Sequence, residues 1–328
     1  MEARLAPSMM LDEEVRDRRA WNRTTVSPAD WTVALPAVAV AELDEALEQI
    51  RQDPLPTILL DPPRFQLRHT AAVMAEVGRV LRDGIGLAVV DRIPVERYTE
   101  EECSAVGWLL ASLLGRPVAQ KWNGAMLYDV RDTGKPLEYG VRRSVTNLEL
   151  QFHTDGAWLP WPAEFVGLLC RSSAREGGVS RFVSLLTLHN EMRRRYSKLL
   201  PRLYRPFWWD RQAEHADGDD KVARHPVFRW DGRHLLGRYY DGLIRHGYEL
   251  RGEPLDAEGQ DALAAARAIV DDPRLCVEFI IEPGQLQYLN NRQFAHSRTE
   301  FRDWDDPPRK RHMIRFWNRD EGRRTFHA

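Results

Sequence analysis

Hydrophobic residues recur at spacings of three and four positions in the first third of the chain, which is the pattern of an amphipathic helix. Residues 37–52 (AVAVAELDEALEQIRQ) and 67–84 (LRHTAAVMAEVGRVLRDG) both show this spacing. A short apolar run at residues 86–92 (GLAVVDR) predicts a strand. A further helix is predicted to begin after Thr99, an N-cap residue followed by glutamates, and to end at Gly115.

Beyond about residue 125, short strand-like segments are separated by glycine and proline turns. These segments are AMLYDVR, LELQFH, EFVGLLC, SRFVSL, HPVFRW, LCVEFII, LQYLNN and HMIRFWN. Two helical patterns interrupt them, at residues 185–204 and 256–271. Because strands and helices do not alternate regularly, the pattern favours a sandwich or jelly-roll barrel over a parallel sheet. The sequence contains no proline- and glycine-rich linker, so we expect residues 1–328 to form a single domain.

The composition excludes several classes of protein. A net charge of −2 offers no basic excess for neutralising phosphates, so nucleic acid is not expected as a partner. The cysteines are few, far apart and odd in number, which argues against a disulfide framework. No run approaches 18 apolar residues, and the first thirty residues lack an apolar signal region. We therefore expect a cytoplasmic protein that acts on a small molecule away from membranes; no heptad pattern predicts its oligomeric state.

One strand-like segment, LELQFHTDGAW at residues 148–158, carries candidate metal ligands. Strand alternation assigns its side chains to two faces: Leu148, Leu150 and Phe152 on one, and Glu149, Gln151 and His153 on the other. His153 and Asp155 are two residues apart, and Gly156 permits a bend that lets both reach one ion. Two histidines and one carboxylate form the facial triad of non-haem iron(II) sites. The alternative is the solvated face of an ordinary strand.

The spacing H-x-[DE] is weak evidence alone. Ten histidines and 49 acidic residues among 328 give about 1.5 matches by chance, and the chain contains three. His189 and Glu191 lie in a helical pattern, where residues two apart point in nearly opposite directions. The pair at residues 215 and 217 lies in an acidic loop without a rigid frame. Context therefore selects the pair at residues 153 and 155.

Two later segments add further polar candidates. GQLQYLNNRQFAHSRTEF, at residues 284–301, provides a strand and His296 as a third ligand. In RKRHMIRFWNR, at residues 309–319, Arg311 and Arg315 are four residues apart and therefore share one face of a strand. Buried arginines need anionic partners, and arginine binds carboxylates through two parallel hydrogen bonds. An exposed basic strand edge explains the same spacing equally well.

Taken in order, these motifs resemble those of a known family. HTD, the EGGVS turn, NNR…HSR…F around the distal histidine, and R-x-x-x-R are similar to the motifs of taurine dioxygenase-like (TauD/TfdA type, clavaminate synthase-like) iron(II)- and 2-oxoglutarate-dependent oxygenases. The resemblance covers roughly residues 80–320. It implies a mainly β fold with flanking helices around a double-stranded β-helix, or jelly-roll, core. Residues 1–85 would brace this core, and the insert at residues 185–272 would form a lid.

The resemblance also implies a site. His153, Asp155 and His296 match the ligands of Fe(II), the catalytic metal. Ser180 and Arg311 match the hydroxyl and the arginine that bind the distal carboxylate of 2-oxoglutarate, the cosubstrate. Three protein ligands leave positions for 2-oxoglutarate and O2. Because a carboxylate occupies residue 155, halogenation is not expected.

The expected reaction is hydroxylation, desaturation or cyclisation of a small molecule of secondary metabolism, with succinate and CO2 as coproducts. Arg315 matches an arginine that holds an acidic group of the substrate in several family members, and Glu149 and Gln151 occupy substrate-contact positions. These residues imply an anionic or amino-acid-like substrate. Two alternatives are a metal-binding jelly roll without turnover and a zinc hydrolase. Neither alternative has a use for Ser180 together with Arg311.

Overall fold

Two β-sheets with a shared cavity form the centre of the protein, in a computed structural model that describes residues 9–136, 138, 140–320, 322 and 324–326. The helices are α1 (Ala37–Gln52), α2 (Arg68–Arg82), α3 (Glu100–Leu114), α4 (Leu185–Arg195), α5 (Leu200–Leu203), α6 (Asp241–Arg251) and α7 (Ala257–Val270). The strands are β1 (Thr32–Ala34), β2 (Leu87–Asp91), β3 (Arg116–Pro117), β4 (Tyr128–Val130), β5 (Leu150–His153), β6 (Phe165–Ser172), β7 (Glu176–Gly177), β8 (Ser180–Ser184), β9 (Phe207–Asp210), β10 (Val222–His225), β11 (Phe228–Trp230), β12 (Leu235–Gly237), β13 (Val277–Phe279), β14 (Leu286–Asn290), β15 (Phe294–Arg298), β16 (Phe301–Arg302) and β17 (His312–Arg319).

The larger sheet has seven strands in the order β1-β2-β14-β6-β17-β3, with β4 also paired to β17. All eight residues of β17 are buried. Its edges pair with β6 on one side and with β4 and β3 on the other, and α3 packs against the strand. The smaller sheet has the order β13-β8-β15-β5. The mainly β jelly-roll core predicted from the sequence is confirmed.

The N-terminal helices pack against the larger sheet. Helix α3 begins at the predicted N-cap, where the Thr99 side chain accepts a hydrogen bond from the Glu102 backbone and the Glu102 carboxylate accepts one from the Thr99 backbone. The helix lies on β17 and β6. Gly107 makes this close approach possible, because a Cβ there would lie 2.4 Å from Cζ of Phe316. Three predicted helices, at 37–52, 67–84 and 99–115, are confirmed within two residues.

The segment between β8 and β13 holds four helices and two small antiparallel pairs, β9 with β10 and β11 with β12. The predicted helix at 185–204 divides into α4 and α5, and the one at 256–271 corresponds to α7. Helix α6 was not predicted, because Gly242 and Gly247 interrupt its apolar pattern.

One continuous hydrophobic cluster connects the N-terminal helices, both sheets and the segment between β8 and β13. The three cysteines are buried and free. None of the described helices is both long and apolar enough to cross a membrane.

Candidate metal centre

His153, Asp155 and His296 meet between the two sheets. One ligand atom from each lies within 4.8 Å of those of the other two. Asp155 Oδ1 is 3.2 Å from Nε2 of His153 and 3.8 Å from Nε2 of His296. The two histidines are direct register partners on β5 and β15, and Asp155 lies just past the end of β5. Two imidazoles and one carboxylate in this arrangement are suited to a divalent transition metal.

An irregularity in β5 determines which side chains lie on the same face of the strand as His153. His296 pairs with His153, but Arg298 pairs with Leu150, so two residues of β5 oppose the single residue 297 of β15. This is a β-bulge, which breaks the alternation of side chains along the strand. Leu150 consequently lines the cavities around the metal site together with His153. The predicted alternation is therefore wrong between residues 150 and 153.

Glu149 and Gln151 line a different space as a result. They lie, with Phe152, in a cavity of about 440 Å³ between the smaller sheet and residues of α6 and α7. We call it the outer cavity; the candidate metal ligands do not line it. The structure therefore does not bring Glu149 and Gln151 to the candidate metal ligands, and their contact with substrate stays a prediction.

The environment of each histidine favours metal binding. His153 Nδ1 lies 2.8 Å from the Gln151 carbonyl oxygen, which accepts a hydrogen bond from Nδ1–H and leaves Nε2 as the ligand atom. Burial, assisted by His153, lowers the pKa of His296 to about 3, which keeps this imidazole neutral. Neutral imidazole is the form that binds a metal.

The second oxygen of Asp155 is held by the larger sheet. Oδ2 accepts hydrogen bonds from Arg315 Nη1 at 3.1 Å and Trp317 Nε1 at 2.9 Å. Burial alone raises the pKa of Asp155, but the Arg315 guanidinium and the two histidines outweigh it and hold the pKa well below its usual range. The carboxylate therefore stays ionised, with Oδ1 directed towards the histidines.

Side chains from the loops after β14 and β3 position these groups. Asn291 accepts a hydrogen bond from the Asp155 backbone N–H at 3.0 Å and donates to the Asp155 carbonyl at 2.9 Å. Gln120 accepts a bond from Arg315 Nε at 2.7 Å. Gly156 has φ = +60°, and a Cβ there would lie 2.8 Å from Leu159, so the turn after Asp155 requires glycine.

Beside the candidate ligands lies an inner cavity between the sheets, lined by Ser180, Arg298, Arg311 and Arg315 among others. Arg311 is 3% exposed and Arg298 5% exposed. Within the described chain, Nη1 of each and the Nε2 of Gln287 have no hydrogen-bond partner. Burial lowers the pKa of Arg311 to about 10 and that of Arg298 to about 9. These unpaired donors fit a bound carboxylate, so the residues present fit 2-oxoglutarate.

Some of these residues were missed from the sequence although period-two spacing could have found them. Arg298 lies two residues after His296, and Trp317 lies two residues after Arg315, so each shares a strand face with a candidate. Gln120 carries no comparable signal. Trp158 also lies at the site, whereas Trp122 and Trp161 are about half exposed.

The other H-x-[DE] pairs do not form metal sites in the described residues. His189 is buried within α4, and Glu191 pairs with Arg194 at 2.6 Å. A separate group, Glu100, Asp129 and His312, has ligand atoms within 4.8 Å of one another. Arg131 and Arg171 lie 3.5 and 3.6 Å from Glu100, so this group is a network of opposite charges.

Comparison with known proteins identifies the class. The family described as "Taurine catabolism dioxygenase TauD, TfdA family" matches residues 26–317. The chain therefore belongs to the TauD/TfdA family, and it is an iron(II)- and 2-oxoglutarate-dependent dioxygenase that uses O2.

Curated relatives match over most of the chain. The chain is 28% identical to FR-33289 synthase of Streptomyces rubellomurinus, over 97% of its own length and 94% of that protein. It is 23% identical to the taurine hydroxylase-like protein SAT17 of Stachybotrys chartarum, over 96% of its own length and 82% of that protein. A uridine-5′-phosphate dioxygenase of a Streptomyces species is 31% identical over 50% of this chain and 59% of that protein.

Solved structures confirm the fold. Asparagine oxygenase with Fe(II), 3-hydroxyasparagine and succinate superposes with a TM-score of 0.65 at 19% identity, covering 88% of this chain and 94% of that one. The oxygenase OrfP with Fe, succinate and dihydroxy-L-Arg gives 0.67 at 15% identity with the same coverage. Both of these structures contain iron and succinate, and this chain shares their fold.

Proposed function

We propose that this dioxygenase hydroxylates, desaturates or cyclises a small anionic or amino-acid-like molecule of secondary metabolism. In this proposal His153, Asp155 and His296 hold Fe(II). The observation that carries it is the convergence of these three ligand atoms beside a cavity lined by buried arginines with unpaired donors. When bound, iron(II) with 2-oxoglutarate and O2 supplies the oxidising chemistry, which yields succinate and CO2 and attacks an unactivated C–H bond.

The chain's own residues position these groups. Arg311 pairs with the distal carboxylate of 2-oxoglutarate, and Ser180, buried on the opposite sheet, donates its hydroxyl to the same group. The turn beside Arg311 contains Gly178, whose φ of +69° favours glycine. Arg315 and Trp317 hold Asp155, so that the carboxylate cannot rotate away. Burial of the ligand set between two sheets excludes bulk water.

The substrate enters through a second space that we call the mouth cavity. It is lined by Arg142, Arg143, Tyr240 and Trp158 together with the ligands at residues 153 and 155. Relatives support a polar or charged substrate: one is named for taurine and another for uridine 5′-phosphate, and the similar solved structures hold hydroxylated asparagine or arginine.

The insert at residues 185–272 serves as the lid in this proposal. Its segment after β9 places Gln212 in the mouth cavity and Glu214 against Arg142 at 2.5 Å. Residues 1–85 brace the larger sheet through α1 and α2, within a single domain. Free, buried cysteines support a reducing cytoplasmic setting.

Anaerobic titration of the apoprotein with iron(II) and 2-oxoglutarate tests this function by visible absorption. We expect a metal-to-ligand charge-transfer band that disappears in His153→Ala and weakens in Arg311→Ala. His69→Ala and Arg309→Ala are matched controls, because both side chains are exposed and outside the site. We expect both controls to retain the band.

Absence of the band in the wild-type protein would contradict the oxygenase assignment. The choice would then lie between a zinc hydrolase and a metal-binding barrel without turnover. A hydrolase would bind zinc and keep metal affinity in Arg311→Ala, because Arg311 has no task in hydrolysis. Equal loss of the band in Arg309→Ala and Arg311→Ala would show that the 2-oxoglutarate arginine is misassigned.

A further inference from the structure

We infer that the outer cavity is a second binding site, for a small organic cation: a primary amine on a compact apolar body. The site is independent of the proposed function, because the candidate metal ligands line cavities on the opposite face of the smaller sheet. Its volume of about 440 Å³ is typical of small-molecule sites in proteins.

The floor of the outer cavity is a row of polar side chains on the smaller sheet. Glu278 of β13 is the register partner of Arg181 on β8, and Arg181 is in turn the partner of Ser297 on β15. Register partners on neighbouring strands share one face of a sheet. Gln151 of β5 lines the same cavity and extends the row. A polar sheet face beneath helices needs partners for its buried polar atoms.

Ser297 gives this floor an unsatisfied polar group. The residue is 5% exposed, and its Oγ has no hydrogen-bond partner among the residues that the structure describes. Ser297 borders both the inner and the outer cavity, but its neighbours His296 and Arg298 face the inner one. Strand alternation therefore directs the Ser297 hydroxyl towards the outer cavity. There it can accept a hydrogen bond from an ammonium group.

The wall opposite this floor presents a second unsatisfied group. Asp241, the first residue of α6, is 5% exposed and lines the outer cavity. Arg245 Nε lies 2.9 Å from Oδ1 and Arg267 Nη1 lies 3.5 Å from Oδ2. Neither contact has the geometry of a hydrogen bond, and no other described group donates to either oxygen. A buried carboxylate in this state fits a bound donor.

Negative charge exceeds positive charge around the outer cavity. Two guanidinium groups line it, those of Arg181 and Arg267. Four carboxylates line it as well, those of Glu149, Asp241, Asp271 and Glu278. Arg245 contacts Asp241 from outside the lining and adds a third positive charge. One negative charge remains, and a ligand with a single positive charge matches it.

The rest of the lining indicates an organic cation. It is mostly apolar and consists of Phe152, Tyr239, Val270, Pro273 and Cys276. Such a surface suits an aliphatic or aromatic body. In the described part of the chain, no three lining side chains bring possible metal ligands within 4.8 Å of one another, so these carboxylates do not form a metal site.

Calorimetric titration of the iron(II)- and 2-oxoglutarate-loaded protein with benzylamine, under anaerobic conditions, tests the site. The charge-transfer band is recorded throughout. Benzyl alcohol is the matched comparison, because it has the same apolar body and no charge. We expect benzylamine to bind with the band retained and benzyl alcohol to bind at least tenfold more weakly.

Variants of the cavity lining locate the bound amine. Asp241→Asn should weaken benzylamine binding by about tenfold or more, because it removes the charge and keeps the shape of the side chain. Ser297→Ala should weaken binding by about fivefold, through the loss of one hydrogen bond. Asp261→Asn removes an exposed carboxylate of α7 outside the cavity and should bind benzylamine as the wild type does.

Three results would overturn the inference: no heat of benzylamine binding, equal affinity for benzyl alcohol, or unchanged affinity in both Asp241→Asn and Ser297→Ala. Loss of the band on adding benzylamine would also overturn it, because the amine would then occupy the candidate metal centre. A band in each variant shows that it is folded, and Ser297→Ala decides if Asp241→Asn does not fold. A wild-type protein without the band contradicts the proposed function alone, because the heats are read independently of the band.

Discussion

At the scale of single residues, the site depends on arginines whose donors are only partly used. Arg298 donates through Nη2 to the carbonyls of Thr146 and Leu148 and through Nε to that of Thr299. Its Nη1 has no partner in the described structure, and the residue lines the inner cavity with Arg311. Arg298 therefore links the backbone before β5 to the space for the cosubstrate.

Replacing Arg298 by lysine should weaken 2-oxoglutarate binding by about tenfold. Lysine keeps the positive charge, but its single ammonium group cannot donate to the backbone carbonyls and also donate to 2-oxoglutarate in the inner cavity. Iron(II) affinity should remain unchanged, since Arg298 does not contact the candidate ligands. The measurement is the 2-oxoglutarate concentration that gives half of the charge-transfer band at saturating iron. Arg302→Lys, at a residue whose side chain is 72% exposed, is the control. Unchanged 2-oxoglutarate affinity in Arg298→Lys would assign the residue a purely structural role.

At the scale of elements, the sequence predicted helices better than the details of strands. Residues 37–52 form α1 as predicted because a sixteen-residue periodic pattern specifies one buried face. The bulge in β5 could not be predicted, because it depends on pairing with β15, a strand more than 140 residues away. The candidate ligands were identified nonetheless, since His153 and Asp155 lie at the end of the strand, beyond the bulge.

The contact between α3 and β17 also positions the site, because β17 carries Arg315 and Trp317. Gly107→Ala should destabilise the protein by about 1–3 kcal/mol, since its Cβ would lie 2.4 Å from Phe316. Urea unfolding measures this change. Ser112→Ala, elsewhere in α3, should leave stability within about 0.5 kcal/mol. Wild-type stability in Gly107→Ala would mean that the helix shifts freely on the sheet.

At the scale of the whole molecule, buried histidines link stability to pH. His189 is fully buried against the rings of Tyr204 and Phe228, and burial lowers its pKa to about 4. The unfolded chain, with a pKa near 6.5, then binds more protons than the folded one. His189 therefore contributes full stability above pH 6.5, and that contribution is lost as pH falls from about 6.5 through about 4.

Over that range the free energy of unfolding should fall by about 3 kcal/mol on account of His189 alone. The measurement is denaturant unfolding of the apoprotein at several pH values. His189→Leu should reduce the dependence of the free energy of unfolding on pH, because leucine cannot be protonated. His69→Leu, at an exposed histidine, should leave the dependence as in the wild type. An equally steep dependence in His189→Leu would place the acid sensitivity in other groups.

The bulge in β5 also has an evolutionary consequence. Because it places Glu149 and Gln151 in the outer cavity while His153 and Leu150 face the candidate metal site, one short strand contributes to two separate surfaces. Substitutions at residues 149 and 151 can therefore accumulate under selection of their own, without disturbing the chemistry two residues further along. In a strand with unbroken alternation, residues 149, 151 and 153 would share one face, and substitutions at residues 149 and 151 would then affect the surroundings of His153.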